Sequence, residues 1–167
     1  AQESRGLGDV YKRQAQILRE PDPYIDKAYI TITSKEREKD FHAIDNDKVD
    51  WSYFSWCDDF AQARNYNLKQ IQTDFYMWVD SDDTVQNPEE LPRLVSYMEQ
   101  AKVDALYLPY NYMQNEQGEC VAWHERERIL RKAHPFRWLG AVHESLVSDH
   151  PLSKHTCLLY TSDAADD

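Results

Sequence analysis

The chain has 167 residues and carries 30 acidic side chains against 19 lysines and arginines, a formal net charge of −11. That balance gives no electrostatic footprint for nucleic acid or an anionic membrane, and no run of about 18 apolar residues offers a membrane span. The length suits one domain with a single core, and so few cysteines make no disulfide framework, which fits a reducing compartment and sets the expectation of a cytoplasmic protein.

Both ends read as foreign to the middle. Asp9-Val10-Tyr11-Lys12-Arg13-Gln14 can be encoded as GAT GTG TAT AAG AGA CAG, and the reverse complement of that string contains TGT CTC TTA TAC ACA TC. In frame, this is Cys157-Leu158-Leu159-Tyr160-Thr161-Ser162. Peptides related as opposite-strand translations of one DNA element resemble translated sequencing adapters. The expectation is therefore that residues 1–14 and 157–167 are non-native tails around a partial domain at 15–156, incomplete at both ends.

Between them, short apolar runs alternate with helical patterns, which predicts an α/β fold with a mostly parallel sheet flanked by helices. Ala28 to Thr33 is β-branched and alternating, a strand, and Ser34 can cap a helix running to about Ile44. Val49 to Ser55 reads as a second strand. Asp58 or Asp59 can cap the next helix, in which Phe60, Ala63, Leu68 and Ile71 keep helical spacing up to Gln72. Phe75-Tyr76-Met77-Trp78-Val79 is a continuous apolar run, the pattern of a central strand buried on both faces. Asn87 as cap, with Pro88 at the first helical position, starts a helix that reaches about Lys102. Ala105 to Tyr112 is another strand. After a turn at Asn115 to Gly118, Cys120 to Trp123 and Arg126 to Lys132 are expected to pair as a hairpin, and Phe136 to Leu146 reads as loop and short strand.

The apolar run ends abruptly in Asp80-Ser81-Asp82-Asp83. Ligands of open α/β sheets bind at the carboxyl ends of strands, and carboxylates this close repel one another unless a cation compensates. Mg²⁺ or Mn²⁺ is the natural partner, since either can be held by one or two carboxylates while phosphate oxygens fill its open positions. The bland alternative is a solvated acidic loop. A calcium hand is disfavoured, because Val85 stands where that loop needs its glycine. Arg64 lies between Phe60 and Leu68 at helical spacing, on the face turned to the sheet, and a cation there wants an anion or else snorkels to solvent. Asn65, a poor helix former, can reach the same cleft.

Phe136 to Glu144 packs two aromatics, a glycine, a histidine and an acid into a short segment. Trp138 can stack on a sugar ring, Gly140 permits close backbone approach, and His143 or Glu144 can handle a proton or a metal. A lone histidine or acid is more often structural, and zinc chemistry fails because no second histidine follows Glu144 at the required spacing.

Three segments taken together, Asp59-Phe60-Ala61-Gln62-Ala63-Arg64-Asn65-Tyr66-Asn67, Trp78-Val79-Asp80-Ser81-Asp82-Asp83 and Trp138-Leu139-Gly140-Ala141-Val142-His143-Glu144, resemble bacterial family-2 glycosyltransferases in order and separation. The resemblance runs from about Tyr24 to Leu146. It implies a GT-A (Rossmann-like) fold, an inverting sugar transfer from a nucleotide-sugar donor, and an acceptor that the sequence leaves open. By this likeness Asp80 and Asp82 match the DxD motif as metal ligands with His143 as a further candidate. Arg64, Asn65, Asp80 and Trp138 would bind donor or sugar, and His143 and Glu144 would face the reacting centre, with Glu144 as base. Two features depart from the family. Its first strand is expected to lie outside the sequence, which on this reading begins in the helix that follows it, and Thr33-Ser34-Lys35-Glu36-Arg37 stands in place of an acidic, glycine-containing turn. The competing readings are a metal-dependent phosphoesterase or nucleotidyltransferase, which would need His143 and Glu144 as its second ligand cluster, and a GT-A-like binding domain without turnover.

Overall fold

Alternating β-branched and aromatic residues favour extended backbone, and Ala28–Ile32 forms the first strand, β1, of the computed structural model, which describes residues 22–35, 47–80, 83, 85–115, 117 and 119–157. The helix expected from Ser34 to Ile44 falls largely outside these residues. Strand β2, Val49–Tyr53, lies parallel to β1, with Ala28 opposite Val49 and Ile32 opposite Tyr53. The hydroxyls of Thr31 and Ser52 meet across the pair at 2.9 Å.

Helix α1, Phe60–Gln70, follows. Asp59 caps it as expected: its backbone is extended, and its carboxylate accepts from Gln62 N and from the Gln62 side chain, each at 2.9 Å. Those bonds hold the Asp59 carboxyl below the usual carboxylate range. From the same helix Asn67 donates to Tyr29 O and Thr31 Oγ1, fastening α1 to β1. Strand β3, Phe75–Met77, leads to the acidic loop.

A 3-10 turn, Pro88–Glu90, then opens helix α2, Leu91–Ala101. Pro88 takes the first position as expected, but Asn87 is left-handed (φ 50°) and does not cap with its side chain; its carbonyl closes the turn by accepting from Glu90 N at 3.1 Å. Leu91, Leu94 and Met98 recur at helical spacing and form one buried stripe. They pack with Val103, Leu106, Leu108 and Ile129 into the main core, where Phe75, Met77 and Val95 adjoin.

The longest elements are β4, Ala105–Gln114, and β5, Cys120–Arg131. The expected turn between them is present, with Asn115 N donating to Glu119 O and the Asn115 side chain accepting from Gln117 N and Glu119 N. The expected hairpin within 120–132 is not. Cys120–Arg131 is one strand paired along its length with β4, and His124 and Glu125, which lie between the two expected arms, occupy exposed positions within it. Strands β6, Arg137–Leu139, and β7, Ser145–Val147, form a small antiparallel pair, and β8 is Lys154–Thr156.

The expectation of a mostly parallel sheet is corrected. A four-stranded sheet runs β3-β5-β4-β8, with β3–β5 and β4–β5 antiparallel and β4–β8 parallel, beside the parallel β1–β2 pair. The short turn at residue 115 forces β4 and β5 to be antiparallel. Strand β3 pairs with β5 alone and so lies at one edge of the sheet, half-buried; the apolar run at 75–79 is not a strand covered on both faces, and Val79 is exposed. No helix among the described residues is long and apolar enough to cross a membrane.

Candidate functional site

Where β3 ends, Trp78 continues toward the acidic loop. Its N–H donates to Arg128 O, its indole donates to Glu127 O at 2.5 Å, and Arg128 Nη1 returns a bond to Trp78 O at 3.1 Å. Arg128 can reach that far because β5 bulges there. Ile129 and Glu127 face successive residues Leu106 and Tyr107 of β4, leaving Arg128 without a ladder partner. Its guanidinium lies 4.0 Å from the Trp78 ring centroid and pairs with Asp83 at 2.8 Å, both side chains being under a tenth exposed. Asp83 Oδ2 also accepts from Asp80 N, while Asp83 N donates to Asp80 O, each at 3.0 Å. The loop that carries the acidic motif is thus anchored at its last residue by a buried ion pair.

Arg64 is presented by α1. It donates through Nη2 to Asp80 Oδ1 at 2.5 Å and through Nε to Glu144 Oε1 at 2.6 Å. The guanidinium sits in a corner made by two nearly perpendicular indoles, 5.1 Å from the Trp78 centroid and 4.8 Å from that of Trp138. A cation over an aromatic face gains about 0.5–2 kcal/mol, which favours this rotamer over an extended, solvated one. Snorkelling is excluded by the geometry: the Arg64 side chain is 23% exposed and holds two carboxylates from distant parts of the chain.

Asn65, its neighbour, is engaged with backbone. Its amide oxygen accepts from Trp138 N at 2.8 Å and its amide nitrogen donates to Trp138 O at 2.9 Å, so the side chain pairs with β6 as an adjacent strand would. Trp138 itself is 4% exposed. Its ring forms the floor beneath Arg64 rather than a free face on which a sugar can stack.

The turn between β6 and β7 brings in the remaining residues. Gly140 has φ +104° and His143 φ +56°, and an added Cβ at Gly140 would stand 3.4 Å from Glu144 Cα. Glycine is required by the backbone angle there, which L side chains rarely adopt. Ala141 O accepts from Phe60 N at 3.0 Å, tying this turn to the start of α1. The result is an open, two-lobed cleft. One lobe, of about 470 Å³, is walled by Phe60, Arg64, Asp80 and Val142, and the other, of about 420 Å³, by Glu127, Ser145 and Leu146. Arg126, His143 and Glu144 border both.

Of the residues singled out in the sequence, Arg64, Asp80, His143 and Glu144 converge on one lobe, Asn65 and Trp138 support it from below, and Asp82 lies outside the described residues. Among the described residues no three His, Cys, Asp or Glu side chains are grouped to hold a metal ion. A hard divalent cation of the Mg²⁺ or Mn²⁺ kind needs only one or two carboxylates beside water and phosphate oxygens, and Asp80, 41% exposed on the cleft wall, could offer one through the oxygen that Arg64 leaves free. Sequence reasoning passed over Arg126 and Arg128. The signal for them was an Arg-x-Arg pair in a strand, which becomes meaningful only once that strand is known to lie beside Trp78.

A family model described as glycosyl transferase family 2 matches residues 34–145, a stretch that contains Arg64, Asp80 and Glu144. Comparison with curated proteins gives no match. With most of the chain matched, and Arg64, Asp80 and Glu144 from the three motif segments on one cleft, the chain belongs to glycosyl transferase family 2.

Proposed function

We propose that this domain is an inverting glycosyltransferase that moves a sugar from a nucleoside-diphosphate sugar to an acceptor bearing a nucleophilic oxygen or sulfur. The observation that carries the reading is the convergence of Asp80 and Glu144 on Arg64 in a family-2 domain. The donor lies in the lobe walled by Arg64 and Asp80, and the acceptor enters from the lobe walled by Glu127 and Ser145. Glu144 stands between them and takes the acceptor proton as the acceptor atom bonds to the anomeric carbon. The anomeric carbon–oxygen bond breaks on the opposite side, its electron pair leaves with the nucleoside diphosphate, and the configuration inverts.

Arg64 holds Asp80 and Glu144 apart at fixed positions, so the base is oriented before substrate arrives. Asp80 and Asp82, with His143 as a further candidate, would hold Mg²⁺ or Mn²⁺, which when bound supplies neutralising charge for the departing diphosphate. His143, held in a left-handed conformation, borders both lobes and meets the reacting groups. A cytoplasmic setting suits both a nucleotide-sugar supply and the exposed, unpaired thiols of Cys57 and Cys120.

The test is release of nucleoside diphosphate from a panel of nucleotide sugars with Mn²⁺ or Mg²⁺, compared with the Asp82→Asn variant. Release that needs the metal and is lost in the variant supports the transferase and names its donor. Metal binding with no release from any donor would sink the enzymatic reading in favour of a binding domain.

A further inference from the structure

Three guanidinium groups meet at Trp78, and two are already satisfied. Arg64 is held by Asp80 and Glu144, and Arg128 by Asp83. The third, Arg126, lies 5.0 Å from the Trp78 centroid, on the opposite register of β5 from Glu125, whose carboxylate accepts from Thr156 Oγ1 at 3.1 Å. Among the described residues no carboxylate pairs with Arg126, and no hydrogen bond is made by its guanidinium. Yet it borders both lobes of the cleft. The indole face fixes its direction without neutralising it, which leaves a pre-oriented, half-buried cation beside the wall that carries Asp80.

Charge balance indicates what such a group is for. A nucleoside diphosphate released from its sugar carries about three negative charges near neutral pH, and one divalent cation offsets only two. The cleft's other described cations are already matched to carboxylates of the protein. A planar guanidinium with its donors free is the side chain best suited to take two phosphate oxygens at once.

We propose that Arg126 binds the diphosphate of the donor directly and holds it as the leaving group. This rests on the transferase reading above and adds to it the residue that takes the excess negative charge.

Calorimetric titration with inorganic pyrophosphate in the presence of Mn²⁺, and with the four common nucleoside diphosphates and their nucleosides, tests this on the full chain. Arg126→Gln is expected to weaken pyrophosphate and nucleoside-diphosphate binding about 10- to 100-fold while leaving nucleoside binding unchanged, and Arg126→Lys to recover part of the loss. Thermal unfolding should be little altered in Arg126→Lys and lowered in Arg126→Gln by no more than the loss of one half-buried cation–aromatic contact, since this guanidinium makes no ion pair or hydrogen bond among the described residues. Equal pyrophosphate affinity in wild type and Arg126→Gln overturns the proposal even if sugar transfer is found, as does a wild type that binds no diphosphate. Loss of pyrophosphate binding in Arg126→Gln supports it even if no donor is turned over, so the two readings fail separately.

Discussion

Asp80, at the exit of β3, and Glu144, in the turn before β7, accept hydrogen bonds from one guanidinium, that of Arg64, at 2.5 and 2.6 Å. Removing that cation leaves two carboxylates on one cleft wall with no charge between them. Arg64→Ala is therefore expected to lower transfer by about 100-fold, the scale of a small misplacement of reacting groups. The pair is intermediate between surface and buried, so the stability loss should be roughly 1–3 kcal/mol. Arg64→Lys keeps the charge but cannot serve both carboxylates through one planar fork, and should restore stability more than rate. Steady-state kinetics and urea unfolding separate the two effects.

The Arg128–Asp83 pair is almost fully enclosed, and here the cost of breaking it is larger. Asp83→Ala strands a buried guanidinium and should destabilise by about 3–5 kcal/mol in urea unfolding. The double change Asp83→Asn with Arg128→Met removes both charges while keeping an acceptor for Asp80 N, and should recover more than half of that loss. If the double variant is no better than the single one, the pair does not act through charge.

Asn65 joins α1 to β6 through both of its amide atoms. Asn65→Leu, similar in volume, leaves the backbone N–H and carbonyl of the buried Trp138 unsatisfied, for a loss of about 2–4 kcal/mol by thermal or urea unfolding. Activity should fall further than stability at a temperature where the variant is still folded, because β6 leads directly into the turn that carries Glu144. A variant with wild-type kinetics would show that Asn65 has no part in placing that turn.

Tyr76 predicts an alkaline sensitivity. Its hydroxyl is buried with no hydrogen-bond partner among the described residues, and burial pushes its ionisation well above that of a free phenol. The folded chain therefore keeps this proton where the unfolded chain loses it. The stability it contributes is fully present below about pH 10 and is lost as pH rises from there toward the folded-state value. Tyr76→Phe removes the orphaned hydroxyl, should gain about 1 kcal/mol at neutral pH, and should flatten the fall of urea stability between neutral and alkaline pH. An unchanged alkaline slope would place the sensitivity elsewhere.

Much of this protein follows from neighbours along the chain. The Asp59 cap, the buried stripe of Leu91, Leu94 and Met98, and the turn at Asn115 are local, because capping, helical periodicity and turn chemistry involve residues a few positions apart. The three motif segments were also legible, and with them Arg64, Asp80 and Glu144. Tertiary structure alone decided the strand directions, the continuity of β5 across the two expected hairpin arms, and the placement of β3 at a sheet edge. Each depends on pairing with strands far away in sequence. It also decided the division of labour at the cleft. Asn65 and Trp138 carry residue types suited to sugar binding, yet one is bound to backbone and the other buried beneath Arg64. Arg126 and Arg128 lie two positions apart on one strand, yet the second is buried at a bulge, bonded to Trp78 O and met by a carboxylate from a distant loop, while the first faces the cleft. A sequence specifies which charges are present, but only the packed structure specifies which of them are already neutralised.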